Sequence, residues 1–482
     1  MNQKNLTLLT DLYELTMMQG YFLNKEQNET VIFDMFYRTN PHNGGYAICA
    51  GLEQVIDYIK NLHFSKNDIS YLRSLKIFHE EFLAYLEHFE FTGSIYSIPE
   101  GTVVFPREPL VKVIAPIMQA QLIETAILNI INHQSLIATK TTRVCFAARG
   151  DGIMEFGLRR AQGPDAGIYG ARAAMIGGCV GTSNVLAGKL FNVPVKGTHA
   201  HSWIMSFKDE YSAFKAYAKI YPKACLLLVD TYDTIKSGIP NAIRVWNEMK
   251  EEGITLEFHG IRLDSGDLAY LSKKARKLLD DAGFPNAVIS ASNDLDEFLI
   301  DSLKAQGAMI TSWGVGTNLI TSGGWSAFGG VYKLSAVINN NGDFIPKIKL
   351  SENTEKVTNP GNKKIIRIYE KETGKIKADL ICLEKESFDP ASPLLLFDPL
   401  EPWKKTKLVP NSYILKELMV PIFKDGVCVY ESPSVMEIRD KCQKELETLW
   451  DETKRLVNPH NIYVDLSAQL YDMKLGLLDQ FH

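Results

Sequence analysis

The sequence predicts an α/β protein in which a (β/α) barrel, residues 118–330, is carried between two parts of a second α+β domain. The first observation is a regular alternation. Short apolar runs ending in small or polar residues are each followed by a helical stretch, the pattern of a parallel sheet; they are GIMEFGLRR, GCVGTSN, VKGTHAHS, CLLLVDTYD, FHGIRLDSG, AVISASND and MITSWGVGT. The second is density, because this many units in about 200 residues favours a barrel over an open doubly wound sheet. The third is a change of pattern on both sides, where strands punctuated by Pro and Gly return.

Residues 1–117 are the first part of the α+β domain. Thr10 or Asp11 can cap a helix in which apolar positions recur at helical spacing, with Tyr13 in its first turn. The stretch VIFDMFYRTNPHNGGYAICAGLE begins as an aromatic-rich strand and breaks at Pro41 and Asn43-Gly44-Gly45, just after Arg38, before resuming as a helix. A helical pattern over Tyr71 to His88 then gives way to strands. From Met118 to Thr142 the period is 3.6, with Leu122, Ala126, Ile127, Ile130 and Ile131 on one face. Residues 331–431 are a β-rich return segment that completes the first domain, with hairpin turns at Asn341-Gly342 and around Glu372-Thr373-Gly374. Lys347, Lys349, Lys356 and Lys363 read as a solvated face, although they could reach an anionic ligand. Residues 432–482 are a C-terminal helical segment, a charged amphipathic helix KCQKELETLWDETKRL followed by a polar tail, with a packing or dimer role.

Composition bounds the function. A chain of 482 residues, 45% hydrophobic and 23% charged, has the make-up of a soluble enzyme of two or three domains. Its net charge of −5 gives no general attraction to nucleic acid or to anionic membrane, so an anionic substrate needs a local cluster of donors. Seven scattered cysteines without Cys-x-x-Cys spacing read as reduced thiols, and no apolar run has the length of a signal or a membrane span. The expected location is the cytoplasm.

Chemistry in a barrel collects at the C-terminal strand ends, where this chain places Arg159, Arg160, Ser183, Asn184, His201, Asp230, Asp233, Arg262, Asp264, Asn293 and Thr317. In KGTHAHSWIMS two histidines two apart would project to the same side of an extended strand end. Such a pair is more often a hydrogen-bonded structural one than a site. GIRLDSGDL opens a strand onto an arginine and two carboxylates, suited to ribose hydroxyls or to phosphate-bound magnesium, or else to a turn capped by Asp267. Gly314, Gly316 and Thr317, with Gly323-Gly324, form glycine-rich turns in the last units, where barrels often bind a phosphate on backbone N–H groups.

Taken together, TDLYELTM, FYRTNPHNGGYAICAGLE, EFGLRRAQG, GTHAHSW, IRLDSGDL and GVGTNL resemble the successive motifs of the nicotinate phosphoribosyltransferases, and KIKLSENTEKVTNPGNKKIIR resembles the same family. The resemblance implies an irregular barrel of the type II phosphoribosyltransferase kind and a homodimer with shared active sites. It implies conversion of nicotinate and 5-phosphoribosyl 1-pyrophosphate to nicotinate mononucleotide and pyrophosphate in NAD biosynthesis, coupled to ATP hydrolysis and so classed as a ligase. By the same resemblance His201 is the histidine that ATP phosphorylates. Tyr13, from the other subunit, and Phe156 sandwich the pyridine ring, Thr198 and Arg262 contact nicotinate, Asp264 the ribose, and Thr317 the phosphoribosyl phosphate. Arg159 or Arg160 would stabilise a magnesium-bound pyrophosphate leaving group. Ser183 and Asn293 are further substrate-binding candidates at strand ends, no dedicated protein metal site is expected, and His199 is read as structural or as a partner of a site residue.

Two rivals remain. A nicotinamide-specific relative resembles this pattern with an aspartate where this chain has Ser183, and a carboxylate there would repel nicotinate. A His-x-His metal hydrolase would need further ligands, for which only His133 and His259 remain within the barrel.

Overall fold

A computed structural model of the protein describes residues 5–27, 29–339, 341–401 and 403–480. The chain forms two compact units. One comprises the residues up to Leu136 and those from Ala327 onward, and the other is Ile137–Ser326. The sequence expectation put a boundary at 118; that position instead opens a short helix, Ile117–Leu122, and the division falls inside the long helix Glu124–Ala148.

The first unit is β-rich. Thr30–Tyr37 is an interior strand, because its β-branched and aromatic residues suit a pleated surface buried on both faces. Val111–Pro116 and Gly330–Ile338 flank it, both antiparallel, within a seven-stranded sheet. A strand some 300 positions later in sequence thus pairs Thr30 with Ile338, which is how the return segment completes the unit. The turns at Asn341-Gly342 and Thr373-Gly374 join antiparallel neighbours, each glycine at positive φ (83° and 68°). Two expectations change here. Lys363 is not available to a ligand, since its ammonium is buried 2.7 Å from the Asp34 carboxylate. The C-terminal segment is not wholly helical: after the helix Val435–Glu447, the polar tail supplies strand Tyr463–Leu466, parallel to Ile376–Leu383 in a second six-stranded sheet.

Glu14, in the helix Leu12–Leu23, is fully buried, with Oε1 accepting from the Thr125 N–H (3.1 Å) and hydroxyl (2.8 Å). Burial pushes its carboxyl up to about 8, against the lowering effect of the Thr125 contacts. The folded state therefore holds a proton that the unfolded chain releases near 4.5, so folding stability falls as pH rises from about 4.5 to about 8. Glu14→Gln is expected to flatten this slope. Urea midpoints at pH 5 and 8.5 check it, and parallel pH profiles for the two proteins would refute it.

The second unit is a parallel α/β sheet curled into a half barrel. Its strands are β1 (Gly152–Glu155), β2 (Gly181–Thr182), β3 (Cys225–Leu228), β4 (His259–Leu263), β5 (Val288–Ala291) and β6 (Ser312–Val315), in the spatial order β2-β1-β6-β5-β4-β3. Apolar residues on both faces bury the central strands, as a parallel sheet covered by helices requires. The expected strand VKGTHAHS does not form. Only Val195 bridges to Thr182; residues 196–200 are irregular, and His201 starts a short helix to Met205. Among the described residues no helix is long and apolar enough to cross a membrane, and all seven cysteines are free thiols.

Candidate active site

The C-terminal ends of these parallel strands bring several of the expected polar residues together. After β3 come Asp230 and Thr231, after β4 Asp264, and after β5 Ser292. Asp230 organises the centre, its Oδ2 accepting from the Asp264 N–H (2.8 Å) and the Ser265 hydroxyl (2.7 Å). The Ser292 hydroxyl in turn donates to Asp264 Oδ1. His201 faces this group, with Nδ1 3.1 Å from Thr231 Oγ1 and Nε2 3.8 Å from Asp264 Oδ2, too long for a hydrogen bond. Arg262 lies on β4 itself, and its Nε is buried without a partner. Burial and the nearby Arg159 pull its pKa below the ordinary arginine value, while Asp264 and Asp230 oppose that. The site therefore holds a guanidinium short of acceptors, which suits a carboxylate ligand.

Phe156 sits where β1 ends, its N–H donating to the Val315 carbonyl (2.8 Å). Gly314 is required beside it, since a Cβ there would lie 2.6 Å from the Phe156 ring. Gly316 is less constrained, its nearest approach being 3.3 Å to the Phe156 carbonyl, and Thr317 opens a four-residue helical turn. Asn293 takes φ 94°, a left-handed conformation costing a non-glycine residue ~1–3 kcal/mol. The Asn318 amide braces this loop by donating to the Asp294 (2.9 Å) and Leu295 (3.3 Å) carbonyls. Ser183 is half-buried after β2, and its N–H donates to the Glu155 carbonyl (2.9 Å). Arg159 lies in the short turn Leu158–Arg160. Thr198 uses its hydroxyl to donate to the Leu226 carbonyl (2.7 Å). Tyr13 belongs to the other unit, half-exposed on Leu12–Leu23.

Several residues of the site escaped the sequence reading. Glu155, fully buried, accepts from the Gly157 N–H and the Thr182 hydroxyl, and so shapes the turn that carries Phe156 and Arg159. A carboxylate ending an apolar strand directly before Phe-Gly was a readable signal. Thr231 and Ser292 gave none, because only strand adjacency makes them neighbours of His201 and Asp264.

The paired-histidine expectation is corrected. His199 is buried and its Nε2 accepts from the Leu228 N–H (3.3 Å), whereas His201 is partly exposed toward Asp264. His259 packs against Trp246 and Phe284 at the opposite end of β4. Among the described residues no group of three or more His, Cys, Asp or Glu could hold a metal ion. The rings therefore do not converge on a hydrolase-type centre. The free Oδ1 of Asp230 beside Asp264 fits a magnesium ion that keeps most of its ligands on a substrate's phosphates.

The model of the nicotinate phosphoribosyltransferase (NAPRTase) family matches residues 152–358, and those of the N-terminal and C-terminal domains of nicotinate phosphoribosyltransferase match 8–132 and 362–474. The chain is 48% identical to a nicotinate phosphoribosyltransferase of Bacillus subtilis over 98% of its own length and 95% of the relative's. It is 37% identical to nicotinate phosphoribosyltransferase 2 of Arabidopsis thaliana over 96% and 93% of the two chains. The crystal structure of human nicotinic acid phosphoribosyltransferase superposes with a TM-score of 0.84 at 29% identity, covering 98% of this chain and 100% of that one.

Proposed function

This chain belongs to the nicotinate phosphoribosyltransferase family, and from that premise we propose that its transfer of phosphoribose to nicotinate is driven by ATP through phosphorylation of His201. The family activity makes it an enzyme of NAD biosynthesis acting on nicotinate and 5-phosphoribosyl 1-pyrophosphate. The nicotinate ring nitrogen forms a bond to ribose C1 as the bond from C1 to pyrophosphate breaks, and no protein nucleophile is needed. Arg262 would hold the nicotinate carboxylate, Phe156 and a partner subunit's Tyr13 the ring, and Asp264 the ribose. The Gly316-Thr317 turn would take the 5-phosphate, and Arg159 the departing pyrophosphate. Asp230 and Asp264 would hold a magnesium ion, which would supply neutralisation of the charge on the pyrophosphate leaving group.

The observation that carries the ATP step is the environment of His201. If Nδ1–H donates to Thr231, the neutral ring presents the Nε2 lone pair to solvent beside Asp264. That nitrogen would take the γ-phosphoryl group of ATP and release ADP, and water would later cleave the P–N bond. A charged phosphate there would alter substrate and product affinities, which is how hydrolysis could drive turnover. A homodimer with shared sites, a cytoplasmic location and the absence of nucleic-acid or membrane partners complete the proposal.

A product assay with nicotinate, nicotinamide and quinolinate, each with and without ATP, tests substrate and coupling together. Nicotinate alone should react well, and faster with ATP; nicotinamide reacting equally would favour the amide-specific alternative. In the same assay Arg262→Ala should weaken nicotinate binding by about 1.5–3 kcal/mol and leave ATP binding nearly unchanged. Equal losses for both ligands would count against the carboxylate role.

A further inference from the structure

The open edge of the half barrel is satisfied by side chains. Strand β3 has a strand neighbour on one side only, β4. Toward β4 point the N–H groups of Cys225, donating to the Phe258 carbonyl (3.0 Å), and of Val229, donating to the Arg262 carbonyl (3.2 Å). Because backbone groups alternate along a strand, the carbonyl of Leu226 and the N–H of Leu228 face the other way, toward the place a further strand would fill. Both residues are buried, so these groups need partners. Residues 196–200 run past that edge without forming a strand. The Thr198 hydroxyl donates to Leu226, and His199 Nε2 accepts from Leu228.

We propose that His199 is the positioning residue of His201: its ring supplies the acceptor that a missing strand would have offered to Leu228, and so fixes the turn on which His201 stands. The proposal rests on the reading of His201 as the phosphoryl acceptor. Three features make the ring suited to this. It is wedged against Tyr217 (4.6 Å between centroids) and Phe214 (6.4 Å), so it cannot swing away. Burial, with Arg262 and His201 nearby, brings its pKa down to about 4, so it is a neutral acceptor at pH values above that. Accepting at Nε2 places its one proton on Nδ1. Two residues on, His201 meets Thr231, which lies in the loop just after the strand that His199 grips. One strand end therefore sets both rings, and a slip at Leu228 moves His201 relative to Asp264.

The test compares His199→Gln with His199→Asn in the full chain. A glutamine oxygen reaches roughly where Nε2 sits, and the shorter asparagine falls short of the Leu228 N–H. His199→Gln should keep the ATP-driven kcat within about threefold of the parent, whereas His199→Asn should lose about tenfold or more with the nicotinate KM changed less than about threefold. Hydrogen exchange at the Leu228 amide should stay slow in His199→Gln and quicken by about tenfold or more in His199→Asn. A merely space-filling role would affect both variants alike. Equal loss in both, failure of both to fold, or slow Leu228 exchange in His199→Asn overturns the proposal; if only His199→Asn fails to fold, the need for the acceptor is shown directly. His201→Ala separates the two readings. Should it keep the ATP-driven rate, the acceptor role of His201 is wrong, and the Leu228 exchange still reports on the clasp alone.

Discussion

The His201→Ala variant is expected to take up no phosphate from γ-labelled ATP, whereas the parent chain, incubated with ATP and magnesium, should carry label that is stable in alkali and lost in acid. That lability distinguishes a P–N bond, which hydrolyses once its nitrogen is protonated, from a serine or threonine ester. The Nε2 of His201 lies at the strand ends, 3.8 Å from an Asp264 carboxylate oxygen, on a partly exposed side chain. Arg262, Phe156, Asp264 and the Gly316-Thr317 turn do not depend on that ring for their placement. His201→Ala should therefore retain a slow, ATP-independent transfer of phosphoribose, having lost the coupling and kept the positioning of substrates. Label persisting in His201→Ala and vanishing in a His199 variant would exchange the two roles.

The second large effect is on stability. Glu297, fully buried at the start of the helix that follows β5, lies 2.6 Å from Lys140 Nζ and 3.1 Å from Arg143 Nε, both nearly buried. Burial alone would raise the Glu297 carboxyl, and the two cations outweigh it and hold it below the ordinary carboxylate value. Glu297→Ala would remove the carboxylate that two buried cations share, for which the expected loss is ~3–5 kcal/mol, a large part of a typical ~5–15 kcal/mol total. Urea unfolding of the parent and the variant measures it. A loss below about 1 kcal/mol would mean that water or a rearranged Lys140 takes over the charge. Lys140 also donates to the Gly323 carbonyl (3.1 Å).

Much of the site was legible because strand-end chemistry is local. An apolar run followed by Arg-Leu-Asp-Ser-Gly, or by Gly-Val-Gly-Thr, announces a parallel strand and the loop that leaves it, and the structure has β4 and β6 there. The alternation of seven such runs determined the fold class. It did not show that one run, VKGTHAHS, would stay irregular: strand propensity was present in Val195, but two side chains satisfied the edge of β3 in place of backbone pairing.

By itself, then, the sequence determined the parallel α/β unit, the split α+β unit around it and the identity of the residues at the strand ends, because periodicity and turn chemistry act over a few neighbouring residues. Only the tertiary structure decided which of those residues meet. Asp230 reaches Asp264 across 34 positions, Ser292 reaches Asp264 across 28 and His201 reaches Thr231 across 30, all through the hydrogen-bonded order of the strands. It also decided that Lys363 is buried against Asp34 and that His199 grips a backbone amide. Burial and pairing of this kind depend on groups distant in sequence that compete for the same buried space, and no local pattern encodes the outcome of that competition.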